Sequence, residues 1–169
     1  MGSIRLPRDL TENIVSATAD NAGVIARPPL LYAAALVIVL ALRWFWPMPM
    51  LGNAIALWAG VSLLVLGVAI AIAGRRALQA AATNVDPMRP TMAIVTSGPY
   101  RFSRNPLYVA LTLLFLGLTL AFNTLWGFVV LVPLLITMHC GVVLREERYL
   151  ERKFGDAYRR YRSRVRRYL

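Results

Sequence analysis

The sequence contains one cysteine, one histidine and one lysine. The scarcity of cysteine and histidine excludes two kinds of site. A single cysteine forms no disulfide within the chain, and no cysteine and histidine residues have the spacing of a zinc site. We therefore expect no metal. Only 16% of the residues are charged, whereas a typical soluble domain has about 25%. Together with 58% hydrophobic residues, this composition argues against a water-soluble enzyme.

Acidic residues are also few. The chain has 8 acidic and 19 basic residues, which gives a formal net charge of +11. In a soluble protein such a charge would favour nucleic acid binding. The apolar majority favours a membrane instead, and we expect no nucleic acid partner. The length of 169 residues predicts a single domain.

Long runs without charge predict an all-α fold with four membrane-spanning helices. Forty consecutive residues, 105–144, contain no Asp, Glu, Lys or Arg. At about 1.5 Å per helical residue they are roughly twice as long as a hydrocarbon core of about 30 Å, so they must cross twice. A second charge-free run, 44–74, is interrupted by two prolines that break a helix. The predicted spans are 29–46, 54–74, 106–122 and 124–144.

The arginines predict the orientation of these spans, because cytoplasmic loops are enriched in basic residues. All of them except Arg43 lie in the N-terminal segment 1–28, in the connection 75–104 or after the last span. We therefore expect both termini and this connection in the cytoplasm, and 29–169 as one membrane domain. Eighteen arginines against one lysine suggest a GC-rich bacterial genome, which favours a bacterial inner membrane.

The cytoplasmic connection is rich in proline and long for a connector, which is typical of a functional segment. Two tyrosines and two arginines lie around the start of the third span: Tyr100, Arg101, Arg104 and Tyr108. These side chains could equally serve as interfacial anchors. The pair Glu146 and Glu147 follows the fourth span, and such a carboxylate pair suggests a cationic ligand. The alternative is neutralisation by Arg145, Arg148 or Arg101.

Helical spacing places His139 on the same face as Glu146. Beyond Gly155 the pattern predicts a short amphipathic helix within the C-terminal helical segment 145–168, with Asp156 as its N-cap. Its tyrosines would form an apolar stripe, and its arginines would contact anionic lipid headgroups.

Three ordered motifs resemble the isoprenylcysteine carboxyl methyltransferase and phospholipid methyltransferase superfamily. They are Ser-Gly-Pro-Tyr-Arg-Phe-Ser-Arg-Asn-Pro-Leu-Tyr at 97–108, the two glutamates, and Phe-Gly-x-x-Tyr-x-x-Tyr at 154–161. Asn105 stands where the superfamily more often has histidine. Val142 stands where the prenylcysteine enzymes have an arginine.

This resemblance implies S-adenosylmethionine as the cofactor and a lipophilic acceptor that enters from the bilayer. It implies that the adenosyl part lies near Met92, Ala93, Ile94, Val95 and Tyr100. The methionine end would lie near Arg104, Asn105, Pro106, Leu107 and Tyr108, with Glu146 accepting the ammonium group and Glu147 in the same site.

The acceptor is left open between a carboxylate, as in a prenylcysteine-like or other small lipophilic molecule, and a phospholipid amine. His139 and Arg145 are the acceptor-side candidates. His139 is the candidate base for an amine acceptor, because an amine must lose a proton. A noncatalytic membrane anchor is the further alternative. The oligomeric state stays open as well.

Overall fold

The computed structural model describes residues 21–168, and within this range the chain is helical and contains no strand. Most of the predicted N-terminal segment, 1–20, lies outside the described residues. The described helices are α1 (Pro28–Phe45), α2 (Asn53–Ala80), α3 (Pro106–Ala121), α4 (Trp126–Met138), α5 (Leu144–Phe154) and α6 (Asp156–Arg164). A 3-10 turn (Gly98–Arg101) precedes α3, and a π-helical turn (His139–Val143) joins α4 to α5.

Three of the described helical stretches are long and apolar enough to cross a membrane: α1, α2 and the continuous stretch Trp126–Phe154. Helix α3 is apolar but has 16 residues, which is roughly 24 Å against a hydrocarbon core of about 30 Å. The four predicted spans thus correspond to four apolar helices. Helix α2 continues six residues past the predicted end of the second span. The prediction stopped at the first charged residue, Arg75, but arginine has a high helix propensity, so the helix does not end there.

Helices α2 and α3 run antiparallel and touch along their length through glycines. Gly60, Gly67 and Gly74 face α3 at intervals of seven residues. A Cβ atom on Gly60 would lie 2.6 Å from the carbonyl oxygen of Gly117 and from the backbone nitrogen of Ala121. Small residues at such positions let two helix backbones approach closely, which is how helices associate within lipid.

Helices α1 and α4 complete the core together with α3. Tyr32, Val39, Phe115, Leu134 and Met138 are buried there. The Tyr32 hydroxyl also shares a 2.7 Å hydrogen bond with Thr112 of α3.

The short turn between α1 and α2 lies beside the turn between α3 and α4, and Asn123 connects the two. Asn123, at a positive φ of 48°, accepts from the backbone nitrogens of Met50 and Leu51 and donates to the Leu51 carbonyl. The predicted break at 123–124 is therefore present as an ordered turn.

The C-terminal segment contains the predicted short second helix, but its N-cap is Gly155 instead of Asp156, and it ends before the predicted 168. Gly155, at a positive φ of 52°, ends α5 and also caps α6, so Asp156 is the first residue of α6 and pairs with Arg159. Helix α6 ends at Arg164, and Val165 is extended. The tail 165–168 then runs back beside the start of α3, where Ser103 and Arg166 form an isolated bridge.

Candidate functional site

A cavity lies where the connection, the start of α3, and helices α5 and α6 meet. It contains about 660 Å³ of space free of protein atoms, part of it open to solvent. We call it the Glu146 cavity. Nine of the twelve predicted cofactor residues line it: Ala93, Ile94, Val95, Tyr100, Arg104, Asn105, Leu107, Tyr108 and Glu146.

Three predicted cofactor residues do not line the cavity. The Met92 side chain is 64% exposed, and its backbone nitrogen donates to Thr83. Pro106 is buried at the first position of α3, where a residue without an N–H group fits best. Glu147 points into the protein rather than into the cavity.

Glu146 is half-buried, and its carboxylate accepts a 2.7 Å hydrogen bond from the Tyr108 hydroxyl. Among residues 21–168, no arginine or lysine forms an ion pair with it. A carboxylate on the wall of a cavity without a cationic partner can bind a cationic group of a ligand.

Glu147 has the opposite surroundings. It is 6% exposed, forms an ion pair with Arg104 Nη1 at 3.0 Å, and accepts hydrogen bonds from Arg167 Nε and Nη2 at 2.9 Å each. Two parallel bonds to one guanidinium are the strong geometry for a carboxylate. Glu147 is therefore a structural ion-pair partner and does not share the predicted cofactor role.

The alternative neutralisation by Arg101, Arg145 or Arg148 is wrong for both glutamates. Arg145 donates to the Gly23 carbonyl at 2.9 Å, and Arg148 donates to the Leu144 carbonyl at 3.1 Å. Arg101 is exposed on the 3-10 turn. The compensating arginines, 104 and 167, are distant in sequence, so local charge alone could not identify them.

Arg104 is the cation that faces the cavity. Its side chain is 8% exposed, and its Nε atom is buried without a hydrogen-bond partner among the described residues. Its Nη1 atom lies 3.5 Å from the Tyr158 hydroxyl. A buried donor without a partner is costly, and an anionic group of a ligand would satisfy it.

Two tyrosines of α6 complete the cavity wall and were not predicted to belong to it. Tyr158 is 1% exposed, and the Tyr161 hydroxyl donates to the Tyr100 carbonyl at 2.8 Å. Burial raises the pKa of the phenols of Tyr100, Tyr158 and Tyr161, so these groups stay neutral. The predicted stripe of α6 thus faces the protein's own cavity. The spacing Phe-Gly-x-x-Tyr-x-x-Tyr was the signal that could have identified them.

Further lining residues were also missed, and they share no motif: Leu78, Asn84, Val85, Thr91 and Leu150.

A second, apolar groove adjoins this cavity between α1, α3 and α4. It contains about 1,110 Å³, part of it open to its surroundings, and Tyr108 lines both spaces. We call it the His139 groove. His139 Nδ1 lies 2.8 Å from the hydroxyl of Tyr168, and exposed Leu135 and Ile136 form its outer edge.

The predicted alignment of His139 with Glu146 on one helix face is not seen, since His139 lines the groove and Glu146 lines the cavity. The π-helical turn between them has wider turns than an α-helix and changes the helical phase. Arg145, the other acceptor-side candidate, points away to Gly23, and Val142 is fully buried in the core.

The sequence model of the phospholipid methyltransferase family matches residues 55–157, which is more than half of the chain. The chain belongs to the phospholipid methyltransferase family. The match covers α2, the connection, the predicted cofactor residues and both glutamates. Membership of this family implies methyltransferase activity at a membrane.

An uncharacterized protein of Haemophilus influenzae is 38% identical over 63 residues, which are all of that protein and 37% of this chain. No solved structure matches the chain.

Proposed function

We propose that the protein transfers a methyl group from S-adenosylmethionine to a lipophilic acceptor at the cytoplasmic face of a bacterial inner membrane. The observation that carries this proposal is the meeting of Glu146, Arg104 and Tyr108 in one cavity that adjoins an apolar groove. Family membership supports the reaction class, and the arginine-rich connection and tail support the orientation.

The cavity offers the groups that this cofactor needs. Glu146, which has no cationic partner among the described residues, suits an ammonium group, and the unpartnered Nε of Arg104 suits a carboxylate. The faces of Tyr100, Tyr108 and Tyr158 suit a positively charged sulfur. The chain between Ala93 and Val95 supplies backbone and apolar surface for the adenosyl part.

The bound cofactor would supply an activated methyl group, and the protein would contribute position and exclusion of water. Tyr108 donates to Glu146 and also lines the groove. It would therefore fix the position of the ammonium site relative to the acceptor. Alignment of the reacting groups supplies a large part of the rate enhancement available to such a transfer. Helix α6 covers the cavity with Tyr158 and Tyr161 and limits the access of water.

The acceptor would lie in the His139 groove, whose apolar walls suit a hydrocarbon chain. A carboxylate acceptor, such as a prenylcysteine-like molecule, would need only orientation. A phospholipid amine is the second candidate, and His139 favours it, because Nε2 could take the proton that an amine loses.

The exposed arginines of α6 support attachment of this helix to the membrane. Arg159, Arg160, Arg162 and Arg164 lie outside the cavity and are exposed. We expect them to contact anionic headgroups, which attract basic residues at a membrane surface.

A transfer assay with an isotopically labelled methyl donor tests the function. The purified protein, in nanodiscs of bacterial lipid, is expected to label a lipophilic product. Glu146→Gln is expected to lower the rate by roughly tenfold or more, because the charge-assisted bond to the ammonium is lost. Glu151→Gln is the matched control, because Glu151 lies on the same helix and pairs with Arg162 outside the cavity.

Equal labelling by the wild type and by Glu146→Gln would contradict the assigned cofactor site. No labelled product, together with no affinity for S-adenosylmethionine, would favour the noncatalytic membrane anchor.

A further inference from the structure

The tail 165–168 touches both the Glu146 cavity and the His139 groove. The Arg166 carbonyl accepts from the backbone nitrogen of Arg104 at 2.9 Å. The next residue, Arg167, holds Glu147 with two 2.9 Å bonds, and Glu147 in turn holds Arg104. The position of Arg104 on the cavity wall therefore depends on two consecutive residues of the tail.

Asn105 fastens the same tail from the other side. Its amide nitrogen donates to the Arg167 carbonyl at 3.0 Å, and the Ser103 hydroxyl donates to that carbonyl at 3.4 Å. Asn105 is 9% exposed. This contact gives the amide at position 105 a role in anchoring the tail.

Tyr168 carries the tail into the groove. Its hydroxyl lies 2.8 Å from His139 Nδ1, and the two rings are 6.1 Å apart. Because the hydroxyl bonds to Nδ1, it fixes the plane of the imidazole and leaves Nε2 free. Arg167 and Tyr168 are adjacent, so release of Arg167 from Glu147 also displaces Tyr168.

We propose that residues 165–168 form a strap that positions both sites at once, with Arg104 held through Glu147 and His139 held through Tyr168. The naming of the two sites as cofactor and acceptor sites rests on the proposed function, whereas the strap itself does not. Asn105, Glu147, Arg167 and Tyr168 are positioning residues in this scheme. The strap predicts that His139 loses its fixed ring position when the tail is released.

His139 makes this loss measurable, because it is the single histidine of the chain and gives one set of signals in nitrogen NMR. Its Nδ1 signal reports the hydrogen bond to Tyr168. The spectrum is recorded on the protein in nanodiscs, with isotopically labelled histidine. Cofactor binding and methyl transfer are not needed, so failure of the strap and failure of the proposed function give different results.

Tyr168→Phe is expected to shift the Nδ1 signal, because the hydrogen bond to His139 is lost. Arg167→Gln is expected to shift it in the same direction, because loss of the two bonds to Glu147 releases the tail and Tyr168 with it. Arg167→Lys, which keeps a charge beside Glu147, is expected to give an intermediate shift. Arg166→Gln is the matched control and is expected to match the wild type, because only the backbone carbonyl of Arg166 holds the strap.

Calorimetry with S-adenosylmethionine adds a second readout. Arg167→Gln is expected to weaken the affinity, because Arg104 loses its support, whereas Tyr168→Phe is expected to leave it unchanged. An unchanged His139 signal in Arg167→Gln would overturn the strap. An equal shift in Arg166→Gln would overturn it too.

Discussion

Glu146 and Glu147 are neighbours in the sequence and have different tasks in the structure. On a helix, successive side chains point in directions about 100° apart, so one carboxylate reaches the cavity while the other turns inward. Glu146 bonds to a neutral phenol, and Glu147 bonds to two guanidiniums. The Glu146 carboxylate can therefore bind a ligand, whereas the Glu147 carboxylate stabilises the fold.

This difference predicts opposite effects of the same substitution. Glu147→Gln is expected to lower the stability by about 3 to 5 kcal/mol, because it leaves the buried Arg104 guanidinium without its anion. Glu146→Gln is expected to cost about 1 kcal/mol or less, since the amide oxygen still accepts from Tyr108. Thermal unfolding in detergent, followed by circular dichroism, measures both. A larger loss for Glu146→Gln than for Glu147→Gln would contradict the assignment.

At the scale of elements, the contact between α2 and α3 places the first half of the site. Gly74 lies near the end of the contact, where an added Cβ would meet Leu107 at 2.8 Å. Leu107 and Tyr108 line the cavity, so the register of these two helices fixes where the start of α3 stands.

Gly60→Ala is expected to lower the stability by about 1 to 3 kcal/mol, because the new methyl group would push against the backbone of α3 and force the helices apart. Gly52→Ala carries the same change at the cap of α2, where an added Cβ meets nothing within 4 Å. Its expected cost is about 1 kcal/mol or less, because alanine is a poorer N-cap than glycine. Equal unfolding midpoints for the two variants would show that close helix contact is not what stabilises this pair.

The apolar helices were predictable from the sequence because a charge inside a bilayer is costly, so runs without charge mark them closely. The π-helical turn at His139–Val143 was not, since its residues carry no pattern that separates it from an α-helix. The tail was not predictable either. The apolar helical periodicity of the sequence continues through Val165 and Tyr168. These residues are not helical, because the tail contacts Arg104, Asn105 and His139 instead.

At the scale of the whole molecule, segments far apart in the sequence assemble one site. The connection, the start of α3 and helix α5 supply residues that motif similarity indicated, and nine of them line one cavity. Tyr158 and Tyr161 come from a helix whose charge suggested a membrane surface instead. Their place follows from tertiary packing against the 3-10 turn at Gly98–Arg101, which no local pattern encodes.

We propose that this cavity binds one zwitterionic, sulfonium-bearing cofactor through Glu146 and Arg104. Isothermal titration calorimetry of S-adenosylmethionine into the detergent-solubilised protein tests it most directly, with Glu146→Gln and the control Glu151→Gln titrated in parallel. We predict saturable binding for the wild type and Glu151→Gln, and roughly tenfold or greater weakening for Glu146→Gln. No binding by the wild-type protein, or equal affinity in Glu146→Gln, would contradict the claim.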